Sequence, residues 1–515
     1  MGGARDDKSL RVALQRRWAA LLTILISLAG CTAVPDEPPR RTVTLLHFSD
    51  YHSHALPFYS EGETRTAGIA RAIGYLKQFA GRDDALIFSG GDMMNKGSPS
   101  WSDRYRCAEW SWLNDIVDAM AFGNHDADYG PEVFAQCRAT INYPILGANI
   151  LDANNAPLFV HEGRPYAVFE RSGVRIGVFA VAGEDFNQLV RPQNSPADGV
   201  TFTSAVDTAR TIVSTLRETE RVDAVVMIGH QQHDEDLALA RSVSGIDLIF
   251  GSHSHRKAEL EKIGGTDTWT ISPFQYLTHI SRVDMEFECE DGDCRLAAVD
   301  GELVAMNPRM KEDPEIAALV RSMQQQLEQD PRFAEMFRPV GTARRGLSTA
   351  GQNAANSPLG SLVLEVMRSS VGAHAAFSTS SSFREPIAPG VILEETLRAS
   401  LPYPNQILLF ELGAPDIEEL LRLSFARSGS DLFSQTAGIR YTAGDGAIAN
   451  VEIFRDPANP SSGFEPLQPG RTYRIATTDY QARVAPGYRD FFSRFTAEES
   501  GKEVRDQVRA WLKKN

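Results

Sequence analysis

The chain has 515 residues, 42% hydrophobic and 23% charged, with 40 Gly and 27 Pro; this is a globular, loop-rich balance that excludes a disordered or fibrous protein and leaves two domains of roughly 150 to 250 residues as the expectation. The formal net charge is −15, with no basic block of the kind that tracks a phosphate backbone, which excludes duplex nucleic acid as the expected partner. An anionic small molecule would need a local positive field, and a bound metal could supply it.

At the N-terminus, Arg11, Arg16 and Arg17 precede the apolar run "WAALLTILISLAG". The run is short for a membrane span and suits a secretory signal. It ends in "LAGC", residues 28–31, which resembles the bacterial lipoprotein processing site; the resemblance implies a signal peptide over 1–30 and lipidation of Cys31. An ordinary signal peptide with a chance cysteine is the alternative. Thr32 is not the aspartate that favours inner-membrane retention, so the implied address is the outer membrane, facing the periplasm. Four cysteines remain, Cys107, Cys137, Cys289 and Cys294, an even number suited to two disulfides in an oxidising compartment. Three connectivities are open. The pairing of 107 with 137 and 289 with 294 is favoured because "CEDGDC" is a tight turn that can close on itself, and a thiolate metal site lacks finger-like spacing.

Beyond a Pro-rich tether (31–41, "AVPDEPPRR" in part), residues 42–305 alternate short apolar runs with longer mixed segments, the signature of an α/β domain. Five runs, "TVTLLHFSD", "ALIFSGGD", "AMAFGNHD", "DAVVMIGH" and "DLIFGSHSH", are strand-like and end in Asp, Asn or His. Ligand sites in open α/β sheets gather at the carboxyl ends of strands, so these endings can converge. The segment 313–337 has apolar residues at helical spacing, Ile316, Leu319, Val320, Met323 and Leu327, and reads as the core of a connector over 306–339. From 340 to 515 a second α/β domain follows, with helices expected at "SLVLEVMRSS", "DIEELLRLSFA" and "EVRDQVRAWLKK".

Singly, Asp50, His52, Asp92, Asn124, His125, His230, His253 and His255 are ordinary loop residues. Together they include five of only eleven histidines, each after a strand-like run. Carboxylate, amide and imidazole donors without sulfur suit Mn, Zn, Fe or Co, and a short carboxylate such as Asp92 can bridge two ions roughly 3.5–4 Å apart. Asp50 and His52, two residues apart, would point to one side of an extended chain, as would His253 and His255.

In order, "DYH", "GGDMMN", "GNHD", "GH" and "GSHSH" resemble the five blocks of the calcineurin-like metallophosphoesterases, specifically the two-domain 5'-nucleotidase family. The resemblance implies an α/β/β/α sandwich followed by an α/β substrate-binding domain. It implies Asp50, His52, Asp92 and His255 as ligands of one divalent ion, and Asp92, Asn124, His230 and His253 as ligands of a second. His125 matches the family's catalytic histidine and Asp128 the carboxylate that orients it. His47 and His54 match no ligand and read as structural. The implied chemistry is attack by a metal-activated water in line with the leaving group, with no phosphoenzyme.

The second domain resembles the family's C-terminal domain through "NSPLGSLVLEVM", "STSSSFREPIAPG", "LPYPNQILLFELG" and "GIRYTAG". The family's aromatic sandwich for a base maps to Phe433 and Tyr480, with core packing as the alternative for both rings. Arg384 is retained as an anion clamp, but the family's "NGGGIR" reads "TSSSFR" here, with Ser380, Ser381 and Ser382 for the glycines. The aspartate that holds ribose hydroxyls in the family is replaced by Pro486, whose side chain accepts no hydrogen bond. The expected function is therefore an exported, lipid-anchored phosphoesterase acting on nucleotides or related small phosphoesters. A thiosulfohydrolase-like enzyme acting on a protein-linked sulfur conjugate and a non-catalytic metal-containing lipoprotein are the alternatives. No obligate protein partner is expected.

Overall fold

The computed structural model describes residues 39–514 apart from 61, 98, 191–199, 445–446 and 460. The expected signal peptide, Cys31 and most of the tether lie outside the described residues. Among those described, no helix is long and apolar enough to cross a membrane.

The N-terminal part is built on two sheets. In the first, Arg40–Phe48, Ala85–Ser89, Ala119–Ala121 and Ile145–Leu151 run parallel, and the hairpin of His279–Glu290 and Asp293–Ala305 pairs antiparallel on the other side of Arg40–Phe48. In the second, Val174–Phe179, Ala224–Met227, Leu248–Phe250 and Trp269–Pro273 run parallel, with Ala167–Arg171 and Lys257–Lys262 antiparallel at the edges. Both faces of each sheet are covered, which is why the central strands read as continuous apolar runs instead of alternating ones. Val43, Leu45, Leu86 and Phe88 meet Val226, Leu248 and Phe250 between the sheets. With the opposite parity, Leu46 and Phe48 join Ile69, Ile73 and Leu76 of the helix Ile69–Leu76. On the far face of the second sheet, Phe179, Val225 and Met227 pack with Ile212 and Val213 of the helix Ala205–Ser214 and Leu239 of the helix His233–Ser242. The layer order is thus α/β/β/α. Cys107 pairs with Cys137, and Cys289 with Cys294.

The connector helix is shorter than its periodicity predicts, Pro314–Gln329. Asp313 starts it by accepting from the backbone N–H groups of Glu315 and Ile316 at 3.1 and 3.0 Å. It stops where Asp330, in extended backbone (φ −75°, ψ 117°), precedes Pro331, since a residue before proline is pushed out of helical geometry. Val320 and Leu327 are buried in the cluster that holds Ile69 and Leu76, so the helix belongs to the N-terminal core rather than standing between the domains.

The second domain has a five-stranded sheet in the order Ser434–Ala437, Ala375–Thr379, Thr472–Thr478, Gln406–Gly413, Glu498–Glu503. Leu359, Val363 and Met367 of Pro358–Ser370 and Val508 of Val504–Leu512 cover one face. Ile417 and Leu421 of Ala414–Phe425, with Tyr488 and Phe492 of Tyr488–Phe492, cover the other. The two domains touch directly. Glu395 accepts from the Ser100 backbone N–H at 2.7 Å, and His54 Nε2 lies 2.5 Å from Glu385 Oε1.

Candidate metal centre and cleft

Asp50 and His52 follow Arg40–Phe48, Asp92 follows Ala85–Ser89, and Asn124 follows Ala119–Ala121, all on the first sheet; His230 follows Ala224–Met227, and His253 and His255 follow Leu248–Phe250 on the second. Every one sits just beyond a strand's carboxyl end, and the stacking of the two sheets brings both sets to one place. Ligand atoms of Asp50, His52, Asp92 and His255 lie within 4.8 Å of one another, as do those of Asp92, His230 and His253, with Asp92 common to both groups. His52 Nε2 is 3.0 Å from His255 Nε2 and 3.7 Å from Asp92 Oδ2, while His230 Nε2 is 3.2 Å from that same oxygen.

The i, i+2 pairs Asp50/His52 and His253/His255 do not reach the site through extended backbone. These residues are not in extended chain: Asp50, His52, Asp92, His253 and His255 have φ of 52°, 48°, 52°, 59° and 47°. Non-glycine residues in the left-handed region cost about 1–3 kcal/mol each and persist where surrounding structure imposes them. Here the strand-end turns are tied to each other, the Asp50 N–H donating to Gly91 O at 3.1 Å and His52 N–H to Asp92 O at 2.9 Å. Gly123 lies so close under Asp92 that a Cβ there would collide with the Asp92 backbone, which accounts for the glycine of "GNHD". Asp126, overlooked in the sequence, accepts from the backbone N–H groups of Gly123, Asp92 and Met93 at 2.9, 3.1 and 2.8 Å. Burial and the neighbouring Asp92 raise its carboxyl to about 7. In the sequence it is the last residue of "GNHD".

The donor set fits divalent ions. It combines carboxylates, imidazoles and one amide without sulfur, and Asn124 Oδ1 is buried with no hydrogen-bond donor against it, an orphan acceptor that a cation would satisfy.

His125 stands at the rim with its side chain 25% exposed. Its backbone N–H donates to Asp92 Oδ1 at 2.8 Å, and its Nδ1 is 2.8 Å from Asp128 Oδ2, which also accepts from the Lys96 N–H at 2.9 Å. Burial opposes an imidazolium here, but Asp92 and Asp128 outweigh it and raise His125 to about 9. His47 is the opposite case. Stacked on Phe250 at 4.7 Å with both ring nitrogens unpartnered, it is pushed down to about 3 by burial. His54 stacks on Tyr276 at 3.7 Å and reaches the second domain through Glu385.

The centre opens into a cleft of about 790 Å³ between the domains, lined by Asp92, Asn124, His125 and His253 on one side and by Ser381, Arg384, Tyr403 and Tyr480 on the other. Arg384 Nη1 lies 3.0 Å from His255 Nδ1, and its Nη2 donates to the Tyr403 hydroxyl at 2.8 Å. Phe433 is not at the cleft. It is 3% exposed, does not line the cleft, and its carbonyl accepts from Ser380 N–H at 2.8 Å, so the expected sandwich of Phe433 and Tyr480 is not formed. From the second domain, Tyr403, 42% exposed, lines the cleft beside Tyr480. Its signal was its position between Pro402 and Pro404, which hold a loop and offer little core.

Fold and site together define a metallophosphoesterase sandwich joined to a second domain across a cleft. The family models agree: residues 43–257 match the calcineurin-like phosphoesterase domain and residues 339–494 the 5'-nucleotidase C-terminal domain. A protein named 5'-nucleotidase from Vibrio cholerae is 24% identical over 90% of this chain and 90% of its own length. Among solved structures, a 5'-nucleotidase precursor from Thermus thermophilus superposes with a TM-score of 0.68 at 23% identity, over 92% of this chain and 96% of that one. The sulfate thiohydrolase SoxB of Thermus thermophilus superposes at 0.67 with 20% identity, over 93% and 95%. The chain belongs to the calcineurin-like metallophosphoesterases of the two-domain 5'-nucleotidase family, a class of metal-dependent phosphoester hydrolases.

Proposed function

We propose that this protein is an exported phosphoesterase with two divalent ions, Mn, Zn, Fe or Co, that hydrolyses nucleotides or related small phosphoesters. The observation that carries it is the meeting of Asp50, His52, Asp92, Asn124, His230, His253 and His255 beside the His125–Asp128 pair in a cleft that also receives Arg384. One ion takes Asp50, His52, Asp92 and His255, the other Asp92, Asn124, His230 and His253. Bound there, such ions supply Lewis acidity and a water activated near neutral pH. His125, held by Asp128, supplies a proton where charge develops on the phosphoryl or leaving-group oxygen. Arg384 brings a fork of N–H donors from the second domain that can turn from His255 to a phosphate or carboxylate. Tyr403 and Tyr480 offer ring faces to the organic part of the substrate.

Two disulfides among the described residues and the "LAGC" segment support an oxidising compartment and anchoring through Cys31 at the outer membrane. Labelling with radioactive palmitate tests this: incorporation is expected in the wild type and lost in Cys31→Ser. The domains are taken as 42–305 and 340–515, with 306–339 linking them in sequence and its helix packed on the first.

A second reading keeps the centre and changes the bond. The fold resembles the thiohydrolase as closely as the nucleotidase, and the ribose-holding position is Pro486, so a sulfur conjugate is the rival substrate. The deciding experiment is phosphate release from nucleoside monophosphates, cyclic nucleotides, nucleotide sugars and simple phosphoesters by the metal-loaded protein, with sulfur release from thiosulfonate conjugates measured in parallel. Turnover of nucleoside monophosphates above simple esters supports the first reading; sulfur release alone supports the second.

A further inference from the structure

An imidazole that binds a metal needs its lone pair on the inward nitrogen and a hydrogen-bond acceptor for the outward N–H. His230 has such a partner: its Nδ1 is 2.6 Å from the Gly90 carbonyl oxygen. A carbonyl only accepts, so Nδ1 carries the hydrogen and Nε2, 3.2 Å from Asp92 Oδ2, keeps the lone pair. His253 is arranged in the opposite sense. Its Nε2 faces Asp185 Oδ2 at 2.9 Å, which puts the hydrogen on Nε2 and the lone pair on Nδ1.

Asp185 is well held for this. Its Oδ2 also accepts from Gln232 Nε2 at 3.3 Å, and its carbonyl accepts from the backbone N–H groups of Gln188 and Leu189 at 2.8 and 3.0 Å. The strand-end segment before it is stitched to a ligand, Gly183 N–H donating to His230 O at 2.9 Å. The next residue, Phe186, is fully buried and sets its ring 5.8 Å from His230 and 6.0 Å from His253. One short segment therefore supports both imidazoles of one ion-binding group.

We propose that Asp185 is a positioning residue of the metal centre, fixing the tautomer and ring orientation of His253 for the ion shared by Asp92, Asn124, His230 and His253. The inference rests on the two-ion reading. Loss of an outward partner of this kind typically weakens metal affinity by about 10- to 100-fold. Asn at this position keeps an oxygen that can accept from Nε2–H, whereas Ala removes it.

The test is calorimetric titration of the metal-stripped full chain with Mn²⁺ and separately Zn²⁺, with bound metal counted after dialysis and apo melting temperatures recorded. In Asp185→Ala, one of two binding events is expected to weaken about 10- to 100-fold with the other unchanged and the apo melting temperature preserved, and Asp185→Asn is expected to lie closer to wild type. An Asp185→Ala isotherm that superimposes on wild type overturns the assignment while leaving the two-ion reading intact. Apo forms of both variants that melt well below wild type make Asp185 a fold residue and overturn it as well. A wild type that takes up fewer than two ions, or an Asp92→Ala variant that binds as wild type does, removes the two-ion reading and the inference with it.

Discussion

The two walls of the cleft follow different rules. On the N-terminal wall, every side chain singled out for the metal centre stands at or beside the site, because each is anchored directly after a strand whose place in a sheet is fixed by buried apolar residues such as Leu45, Phe88, Val226 and Phe250. On the C-terminal wall, Arg384 and Tyr480 reach the cleft, Phe433 is buried, and Tyr403 takes an exposed place there. Strand ends transmit the geometry of the sheet to their side chains; loops choose which side chain faces out by local packing.

The comparison breaks first if the N-terminal wall does not carry the chemistry. Asp92→Ala removes the one carboxylate common to both ligand groups and is expected to lower phosphate release by about 10³-fold or more, checked by initial rates together with bound-metal content. His125→Ala should leave metal content unchanged and lower kcat by about 10²- to 10³-fold; an equal loss confined to KM would remove it from the catalytic role.

The C-terminal wall is sharpened by a pair of rings. Phe433→Ala is expected to lower stability by about 3–5 kcal/mol, the usual cost of emptying a buried phenylalanine site, whereas Tyr403→Ala should barely move the melting temperature and raise KM several-fold. Thermal melts and steady-state kinetics on both variants decide this. The reverse pattern would restore Phe433 to the cleft and demand a different domain arrangement in solution.

The smallest effect concerns the support beneath the N-terminal wall. Glu109, 1% exposed, accepts from the hydroxyl of Tyr51, which lies between Asp50 and His52, and from Trp101 Nε1. Burial raises its carboxyl from 4.5 to about 7 against the pull of those donors. The folded form therefore holds its proton more tightly than the unfolded form, so its contribution is fully present below about pH 4.5 and is lost as pH rises through 7, on the order of 3 kcal/mol for the full shift. Glu109→Gln keeps the acceptor and has no proton to lose. Its stability relative to wild type should rise between pH 5 and 8 in denaturant titrations, and a difference independent of pH would contradict the raised carboxyl.

Much of the hydrolytic half was legible in the chain because its signals are local: an apolar run, a glycine, then a donor. Even there, the i, i+2 pairs do not work through extended chain. Asp50 and His52 reach their positions through left-handed turns braced by Gly91 and Asp92, contacts between segments about 40 residues apart in the sequence that no spacing reveals. Asp185 carries no such signal, since a carboxylate that serves an imidazole has no pattern of its own until the chain folds around it; Asp126 sits in "GNHD", but its hold on the Gly123, Asp92 and Met93 N–H groups is visible only in the folded chain.

By itself the sequence pointed to the main strand-like runs of the first domain, the polar residues that end them and the cysteine pairing it favoured, and its resemblance to a family implied the seven prospective ligands and the His125–Asp128 pair. The runs and the donors that end them depend on apolar periodicity and residue chemistry within short windows, which survive without knowledge of the whole, whereas the ligand set and the His125–Asp128 pair rest on resemblance to the family's motif blocks. Tertiary structure alone decided that Tyr403 rather than Phe433 shares the cleft with Tyr480, that the helix Pro314–Gln329 joins the N-terminal core, that Arg384 meets His255, and that Asp185 faces His253. Each of these is a contact between segments distant in the chain, and burial against a particular neighbour is a property of the packed molecule, not of any stretch of it.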